Sequence, residues 1–369
     1  MKVTNKIKRY FKKLIQFFFI LLYGRVNKII DAEQSDRVYI EKINKNYNYK
    51  VFVIQKGRIF TNRIDDTAVI SDNKLINGPS YQLRSSTDDS ASVRNSASIK
   101  ENIVLKIGTP KFKKKIKGTV LSLLSGGGAN KNYFHWLYDV LPRFGLLEEL
   151  TKKFNPDYLL TPNYEFKFQL DTLEFLGFKK EKIFSSKFFK HLECDELIVT
   201  DHPYNITGNT YIDHEKIPPW ISYWLKKKFL AHKSKKKFSE KIYIDRGDTD
   251  NNSLSSRKIN NEIELKKILK KNHFEFIKLQ DKSFEDQLSI FNSAKIVVGL
   301  HGAGFANISF CKENTKIIEL KSLQTMKVIE NIAHNNKLDY CVIKCELENP
   351  AEGQSGTINV PVDEVIKII

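Results

Sequence analysis

The clearest pattern of apolar and polar positions lies in the C-terminal half of the chain, from Lys241 onward. Short apolar runs alternate there with longer stretches in which apolar residues recur every three or four positions. Four runs are typical of buried strands, namely "KIYID", "FEFIKL", "KIVVGL" and "TKIIEL". Two helices are predicted between them, with apolar faces formed by Leu265, Ile268 and Leu269 and by Phe284, Leu288 and Phe291. This alternation predicts an α/β domain whose parallel sheet carries helices on both faces.

The N-terminal half begins with a different pattern. Between about Tyr49 and Leu83, short apolar runs are separated by turn residues, which predicts a small β-meander. The polar stretch "STDDSASVRNSAS" then predicts a loop or linker. After it come a strand-like "TVLSLLS", a glycine-rich "GGGANKN" and a helical "NYFHWLYDVLPRFGLLEEL", in which Pro142 should kink or break the helix. After the β-meander, this half of the chain is therefore also predicted to be α/β.

Three segments are predicted from these patterns. Residues 1–35 form a basic amphipathic N-terminal segment, residues 36–225 an N-terminal α/β domain, and residues 226–369 a C-terminal α/β domain. The stretch "IPPWISYWLKKKFLAHKSKKKFSE", with its Pro-Pro break and charged helix, is the predicted connector. A chain of 369 residues is long enough for two domains, each with its own core.

The N-terminal segment combines basic residues with the apolar run "LIQFFFILLY". That run is too short to span a bilayer, which needs about 18 or more apolar residues. It resembles the start of a signal peptide, but no small-residue cleavage site follows. Two interpretations stay open: a helix lying in the interface of an anionic membrane leaflet, or a helix packed on the body of the protein.

Composition adds a strong positive charge. The 61 Lys and Arg residues against 43 Asp and Glu residues give a formal net charge of +18, which favours polyanions, membrane surfaces or phosphorylated substrates. Lysine is abundant along the whole chain, however, and the basic tracts at residues 111–117 and 226–238 are predicted to be solvated surface. No zinc-finger, basic-zipper or RNA-binding motif accompanies them, so nucleic acid is not an expected partner.

The four cysteines form no CxxC pair and no disulfide framework, since four are few for so long a chain. We expect them to be small buried hydrophobic residues. A reduced, cytoplasmic compartment is therefore predicted.

The stretch "VVGLHGAGFAN" places His301, Gly302, Ala303 and Gly304 where a buried strand stops. Glycines at such a junction are often plain turn residues. In a parallel sheet, however, ligands bind beyond the carboxyl ends of the strands, where backbone N–H groups and helix starts attract phosphate. His301 could add a donor to a phosphate oxygen. The spacing matches neither a dinucleotide fingerprint nor a Walker loop.

Neighbouring residues favour the phosphate interpretation. Glu319 ends the next predicted strand, where a carboxylate can accept ribose hydroxyls; otherwise it is a surface glutamate. Arg246 ends "KIYIDR", and Arg257 and Lys258 begin the following helix. Cations that converge on a diphosphate would stabilise it as a leaving group. Together these residues predict a nucleotide-diphosphate site.

Several motifs, in this order, resemble glycosyltransferase family 61: "NYFHWLYDVLPR", "KIYIDRG…SSRKINNEIE", "SFEDQLSIFNSAKIVVGLHGAGFANISF" and "TKIIEL". Its prokaryotic branch is associated with capsular and surface polysaccharide synthesis. The resemblance implies a GT-B-like arrangement of two facing Rossmann-like domains, the N-terminal one on the acceptor side and the C-terminal one binding a nucleotide sugar. It also implies sugar transfer with inversion.

Carried over by position, the family motifs fall on named residues of this chain. Arg246 matches the arginine of an "SR" pair whose serine is here Asp245. Arg257 and Lys258 match the start of "RRxxNE", and Asn307 matches the asparagine that follows "HGAG". The donor site predicted from the sheet edge and the resemblance together comprises Arg246, Arg257, Lys258, His301, Gly302, Ala303, Gly304, Asn307 and Glu319.

Inverting transfer needs a base that takes the proton of the acceptor hydroxyl. Asn132, His135 and Asp139 lie about one helical turn apart and would share a face if the segment is helical. His135 and Asp139 are the catalytic candidates; the choice between them stays open, with Asp139 slightly favoured because carboxylates are common bases in such reactions. Alternatively, both residues make hydrogen bonds within the domain.

Asp248-Thr249-Asp250 has the D-x-D form that binds metal in the other main glycosyltransferase fold. It lies in the polar stretch "RGDTDNNSLSSR", for which a solvated loop is the simpler interpretation. No metal or other cofactor is therefore expected to be required.

The sequence thus predicts a transferase of hexosyl or pentosyl groups that uses a nucleotide-sugar donor, most simply a UDP-sugar. Its expected acceptor is a glycan or a lipid-linked glycan, in the cytoplasm or at the inner face of the cell membrane. The alternative is a membrane-associated protein that binds nucleotides or polysaccharides without catalysis.

Overall fold

A computed structural model describes residues 2–63, 66–80, 98–125, 132–246 and 257–369. Asp248-Thr249-Asp250, most of the predicted linker and "GGGANK" lie outside the described residues. The chain forms two compact units. Unit 1 comprises Met1–Lys131, Tyr138–Phe166 and Gly177–Thr210, and unit 2 comprises Asn132–Leu137, Lys167–Leu176 and Tyr211–Ile369. The predicted division after residues 35 and 225 stays a prediction, because compactness alone does not show which segments fold independently.

Sixteen strands are described: β1 Lys28–Asp31, β2 Val38–Lys45, β3 Tyr47–Gln55, β4 Arg58–Arg63, β5 Asp66–Ser71, β6 Lys74–Asn77, β7 Lys114–Ser122, β8 Tyr158–Thr161, β9 Ile183–Ser185, β10 His191–Thr200, β11 Lys241–Ile244, β12 Glu275–Ile277, β13 Ile296–Leu300, β14 Lys316–Ser322, β15 Asp339–Leu347 and β16 Ile358–Asn359. The α-helices are α1 Lys2–Tyr23, α2 Val104–Ile107, α3 Tyr133–His135, α4 Pro142–Leu147, α5 Lys167–Phe175, α6 Thr210–His214, α7 Pro219–Phe229, α8 Glu262–Lys271, α9 Phe284–Ser293, α10 Val328–Asn335 and α11 Val362–Ile366. None of the helices in the described part of the chain is long and apolar enough to cross a membrane.

Unit 1 is built on a mixed sheet of ten strands, whose main path runs β1-β6-β5-β4-β10-β7-β8-β9. Strands β4, β5 and β6 pair antiparallel in succession, which confirms that part of the predicted meander. Strand β3 instead pairs antiparallel with β2 and with β10. The reason is the length of β10, whose first residues pair with β4 and whose last residues pair with β3. Strands β10, β7, β8 and β9 are parallel neighbours, as expected of an α/β layer.

The helical segment that begins at Tyr133 is interrupted before Pro142, in a form that the sequence did not predict. One π-helical turn, Trp136–Val140, separates α3 from α4, and Pro142 is the first residue of α4. Proline lacks an N–H group, and its ring clashes with the carbonyl four residues earlier. A wider π turn relieves that crowding while the chain continues as a helix.

Unit 2 contains the predicted parallel sheet. Strands β12, β11, β13, β14 and β15 are parallel neighbours in that order, and a short strand, β16, pairs antiparallel with β15 at the edge. Counted along the chain, the parallel strands follow the order 2-1-3-4-5. This order reverses between β11 and β13, and in open α/β sheets a ligand-binding crevice forms at the carboxyl edge beside such a reversal.

The two helices predicted beside this sheet are confirmed. Leu265 and Leu269 of α8 are fully buried, as are Leu288 and Phe291 of α9. The Ser283 side chain accepts a hydrogen bond from the Asp286 N–H and so caps α9. The described fold is thus mixed α/β with parallel-rich, Rossmann-like sheets. Three of the four cysteines are buried, as predicted, and Cys341 is partly buried; all four are free thiols.

Candidate functional site

Two arginines and a histidine meet at the carboxyl edge of the sheet in unit 2. Arg246 follows β11 and His301 follows β13, so both flank the point at which the strand order reverses. Nη1 of Arg246 donates to the His301 carbonyl oxygen at 3.4 Å, and Nη1 of Arg257 donates to the same oxygen at 3.2 Å. Arg257 Nε also donates to the carbonyl of Gln354. The two guanidinium groups therefore lie side by side at the carboxyl edge of the sheet.

Both guanidinium groups are partly removed from water. Burial lowers the pKa of Arg246. Burial, and then the charge of Arg246, lower the pKa of Arg257 to about 10, so both remain cationic at neutral pH. Within the described ranges, neither arginine forms an ion pair with a carboxylate. Two adjacent cations repel each other in a medium of reduced polarity, and an anion bound between them would relieve that repulsion.

The glycines of "HGAG" have different surroundings. Gly302 has extended backbone, φ 169°, and a β-carbon there would lie 3.4 Å from Arg246 Nη1. A β-carbon at Gly304 would lie 2.8 Å from Leu279 Cδ1 and 3.3 Å from Ile244 Cγ2. Gly302 thus lies beside the arginine pair, whereas Gly304 packs closely against the side chains of Leu279 and Ile244. Ala303 begins a 3-10 helix, Ala303–Phe310.

The His301 ring is held by a buried carboxylate. Its Nδ1 is hydrogen-bonded to Oε1 of Glu319, and the other carboxylate oxygen accepts from Tyr340 Oη at 2.5 Å and lies 3.3 Å from Lys321 Nζ. Glu319 is fully buried within β14. The structure therefore places Glu319 inside the unit with both carboxylate oxygens engaged, so it is not the surface glutamate of the alternative interpretation. The ribose contact stays a prediction. Tyr340 and Lys321 were not predicted as members of the site.

The charges in this cluster decide which ring nitrogen of His301 carries the hydrogen. Burial acts to raise the pKa of Glu319, but its hydrogen bond to His301 and the charge of Lys321 outweigh that effect, so the pKa is lowered and Glu319 is ionised. Burial lowers the pKa of His301, against the influence of Glu319. A neutral His301 therefore carries its hydrogen on Nδ1, facing Glu319, and its Nε2 is an acceptor. Donation from Nε2 to a phosphate oxygen, as the sequence predicted, requires the protonated ring.

Asn307 is fully buried, and its side chain joins three segments of unit 2. Its Oδ1 accepts from Tyr133 Oη at 2.6 Å, and its Nδ2 donates to Gln287 Oε1 at 3.0 Å and to the Gly304 carbonyl at 3.2 Å. This residue, predicted to bind donor, thus uses its carboxamide within the protein. Its bond to Tyr133 ties α3 to the 3-10 helix that follows "HGAG".

Lys258 is exposed, and its carbonyl accepts the N–H of Ile358 at 2.9 Å. The backbone at this predicted donor-site residue is therefore held against β16. Asp245, which precedes Arg246 in the chain, lies 3.1 Å from Lys266 Nζ. The residue that replaces the family serine is therefore part of an ion pair.

A sequence model of the family described as glycosyltransferase 61 matches residues 133–318, which is half of the chain. The chain belongs to glycosyltransferase family 61. The family predicted from the motifs is thereby confirmed, and the protein is a glycosyltransferase. The matched region contains both catalytic candidates, the arginine pair and "HGAG", and it ends one residue before Glu319. A search of curated protein sequences found no match.

In this glycosyltransferase, His135 lies on α3 in unit 2 and is partly exposed. Its ring contacts that of His214, with centroids 5.6 Å apart. Asn132 caps α3, its Oδ1 accepting the N–H of Phe134 at 2.9 Å. The segment that carries His135 is thus fixed at its start by Asn132 and on its side by the bond from Tyr133 to Asn307.

Asp139 belongs to unit 1 and is only 4% exposed. Its Oδ1 accepts from Tyr204 Oη at 2.6 Å, and its Oδ2 lies 3.8 Å from His202 Nε2. The carbonyl of Asp139 accepts from Nε of Arg143, a fully buried arginine. Asn132 is exposed and His135 partly exposed, whereas Asp139 lies within the π turn and is buried. Their common face stays a prediction.

Arg143 was missed from the sequence, although its distance of four residues from Asp139 was a signal. Burial lowers its pKa to about 10, opposed by the charges of Asp139 and Asp201. Its guanidinium also donates to the carbonyls of Ser125 and Thr200. Arg143 thus holds the segment of Asp139 against the parallel strands of unit 1 from within the core.

Asp248 and Asp250 lie outside the described residues, so nothing is stated of their surroundings. The described ranges contain no group of three or more histidine, cysteine, aspartate or glutamate residues that could hold a metal ion. Metal independence stays a prediction.

Proposed function

We propose that this glycosyltransferase transfers a hexosyl or pentosyl group, with inversion, from a nucleotide-sugar donor to a glycan or lipid-linked acceptor. A UDP-sugar is the proposed donor. One observation carries the proposal: Arg246 and Arg257 converge on the backbone of His301 at the crevice where the strand order of the parallel sheet reverses. That crevice is where open α/β sheets bind nucleotides.

The arginine pair suits the diphosphate of such a donor. When the bond between the sugar and the diphosphate breaks, negative charge develops on the leaving diphosphate oxygen. Guanidinium groups bind phosphate oxygens through paired N–H groups and cannot lose their charge at neutral pH. Gly302 borders the pair without a side chain, and a protonated His301 adds a further donor. We propose that these groups hold the diphosphate and stabilise its charge in the transition state.

We propose His135 as the base. Asp139 is proposed to position neighbouring groups without contacting the reacting atoms. His135 is partly exposed and lies on α3, which Tyr133 ties to the 3-10 helix after "HGAG". Asp139 is buried, and its carboxylate already accepts from Tyr204. In the proposed reaction the acceptor oxygen bonds to the anomeric carbon, its proton passes to His135, and the bonding electrons of the leaving group stay on the diphosphate.

The remaining parts of the proposal rest on the family resemblance and on composition. Capsular or surface polysaccharide synthesis follows from the likeness to the prokaryotic branch. Cytoplasmic location agrees with four unpaired cysteines. The GT-B-like arrangement of two facing domains is proposed with them, as is a reaction that requires no metal or other cofactor. Nucleic acid is not a proposed partner.

A panel of nucleotide sugars tests the proposal, with release of the nucleotide as the measured rate and the anomeric configuration of the product determined by NMR. We expect His135→Ala to lower kcat by about 10²- to 10⁴-fold, as loss of a general base does, while the Kd for UDP stays unchanged. Asp139→Asn, which keeps the size of the side chain, should lower kcat less.

The opposite ranking of the two variants would reverse their proposed roles. A protein that binds UDP but turns over no donor, in which both substitutions have no effect, would instead favour the alternative of a binding protein without catalysis. Retention of configuration in the product would contradict inversion.

A further inference from the structure

Helix α1 presents an unusually apolar face to its surroundings. Among its described side chains, eight large apolar ones are between 51% and 71% exposed, namely Ile7, Tyr10, Phe11, Leu14, Phe17, Phe18, Leu21 and Leu22. With 3.6 residues per turn, these eight positions fall within an arc of about 140° on one side of the helix. We call this the outward face of α1. Contiguous apolar patches of this kind on a protein surface mark interaction sites.

The outward face is turned away from the residues of unit 1 that α1 contacts. Those contacts come from the last turn and the other side of the helix: Phe19 is buried, and Tyr23 Oη accepts the N–H of Lys113 at 3.0 Å. The Ile20 side chain lies against Gly108. A surface helix of a globular protein normally buries its apolar side against the core. Because α1 does the reverse, the helix packed on the body of the protein, one of the two interpretations that the sequence left open, does not explain its apolar residues.

Positive charge accompanies the outward face. Lys8, Arg9, Lys12 and Lys13 occupy the opposite arc of α1, and the chain has no acidic residue before Asp31. Phe112, which is 72% exposed, contacts Phe19 with ring centroids 5.1 Å apart and extends the apolar surface beyond the helix. Further exposed lysines adjoin it in the chain, at Lys111, Lys114 and Lys115.

We propose that the outward face of α1, together with Phe112, inserts into the interface of an anionic lipid bilayer. An apolar arc opposite an arc whose charged residues are all basic is the arrangement by which a helix lies in the membrane plane, its apolar side chains among the acyl chains and its cations near the anionic headgroups. The basic residues in the first half of the helix leave too short an apolar run for a span. A protein partner or a second copy of this chain could cover apolar residues, but neither explains an arc without a single acid.

This inference does not depend on the donor site, since α1, Phe112 and the lysines beside it all belong to unit 1. If the proposed acceptor is lipid-linked, the same contact would hold the enzyme where that acceptor lies. Failure of one proposal therefore leaves the other intact, because UDP binding and vesicle binding are measured separately.

Co-sedimentation of the full chain with vesicles tests the inference. We expect binding to phosphatidylcholine vesicles that contain phosphatidylglycerol, and at least tenfold weaker binding to phosphatidylcholine alone. The double variant Leu14→Gln/Phe18→Gln should bind at least tenfold more weakly, because it removes two apolar side chains that the bilayer would bury. Ile263→Gln, which removes an 88% exposed apolar side chain on α8, is the matched control and should bind like the wild type.

A second measurement reports insertion directly. In Phe18→Trp, the new indole should be quenched by brominated acyl chains, beyond any quenching seen in the wild type. Lys12→Gln should weaken binding to the anionic vesicles by about fivefold and reduce its salt dependence.

Several results would overturn the inference. One is wild-type protein that stays in the supernatant at every lipid composition; another is a folded double variant that binds as well as the wild type. Self-association that the double variant abolishes, without vesicle binding, would assign the outward face to a second copy of the chain.

Discussion

Two residues that the sequence predicted as separate ligands, His301 and Glu319, form one hydrogen-bonded pair. Their presence at the same sheet edge could be predicted, because each follows or lies in an apolar run typical of a parallel strand. Their pairing could not, since it depends on the register of β13 against β14, in which Leu300 lies opposite Leu320. The same register hydrogen-bonds the His301 N–H to the Leu320 carbonyl at 2.9 Å. The sequence therefore predicted which residues lie at the sheet edge, but not which residue each of them contacts.

Protonation of His301 should be coupled to nucleotide binding. Burial lowers the pKa of the free His301, and a bound diphosphate would raise it by favouring the cation. A group whose pKa is higher in the complex takes up a proton on binding, so the affinity for UDP is full below the free pKa and falls as pH rises through the pKa of the complex. Calorimetry in two buffers of different ionisation enthalpy should show this proton uptake.

His301→Gln supplies the control for that experiment. Its glutamine can still donate to phosphate but does not titrate, so only the proton exchange of UDP itself should remain. Equal proton uptake by the variant and the wild type would show that His301 does not change its charge on binding.

At the scale of elements, the strand runs and both helices of unit 2 were predictable because their apolar residues recur with the period of the element. The start of the 3-10 helix at Ala303 was not, and neither was the role of Gly304, which depends on Leu279 and Ile244 from distant parts of the chain. The π turn before Pro142 was missed for a related reason: proline predicts a disturbance of the helix but not its form.

The two glycines of "HGAG" should respond differently to alanine. Gly304→Ala places a methyl group 2.8 Å from Leu279 Cδ1, and such overpacking costs about 1–3 kcal/mol of the free energy of unfolding. Gly302→Ala should leave stability within about 0.5 kcal/mol, because its backbone is extended and a β-carbon there meets only ordinary van der Waals contacts, but it should weaken UDP binding by crowding Arg246.

Denaturant unfolding and UDP titration of both variants measure the difference. Equal losses of stability in the two variants would contradict the assignment of Gly304 to packing and Gly302 to the ligand site.

For the whole molecule, the alternation of strands and helices predicted parallel α/β sheets, and unit 2 has one. The strand order 2-1-3-4-5 could not be derived from the sequence, because which strands become neighbours depends on the path of each crossover connection. That order decides the position of the crevice, and it brings together Arg246 and His301, which are 55 residues apart in the chain. The interleaving of the two units at Asn132–Leu137 and Lys167–Leu176 was likewise not visible in the pattern.

The claim on which the proposed function depends is that the arginine pair beside His301 binds a nucleotide diphosphate. Calorimetric titration of UDP into the wild type, Arg246→Ala and Arg257→Ala tests it most directly, with Lys267→Ala, an exposed lysine of α8, as the matched control. We predict saturable binding to the wild type and the control, and about 10- to 100-fold weaker binding to each arginine variant, because hydrogen bonds between charged groups contribute roughly 1.5–3 kcal/mol. Unchanged affinity in both folded arginine variants, or no binding of UDP to the wild type, would contradict the claim.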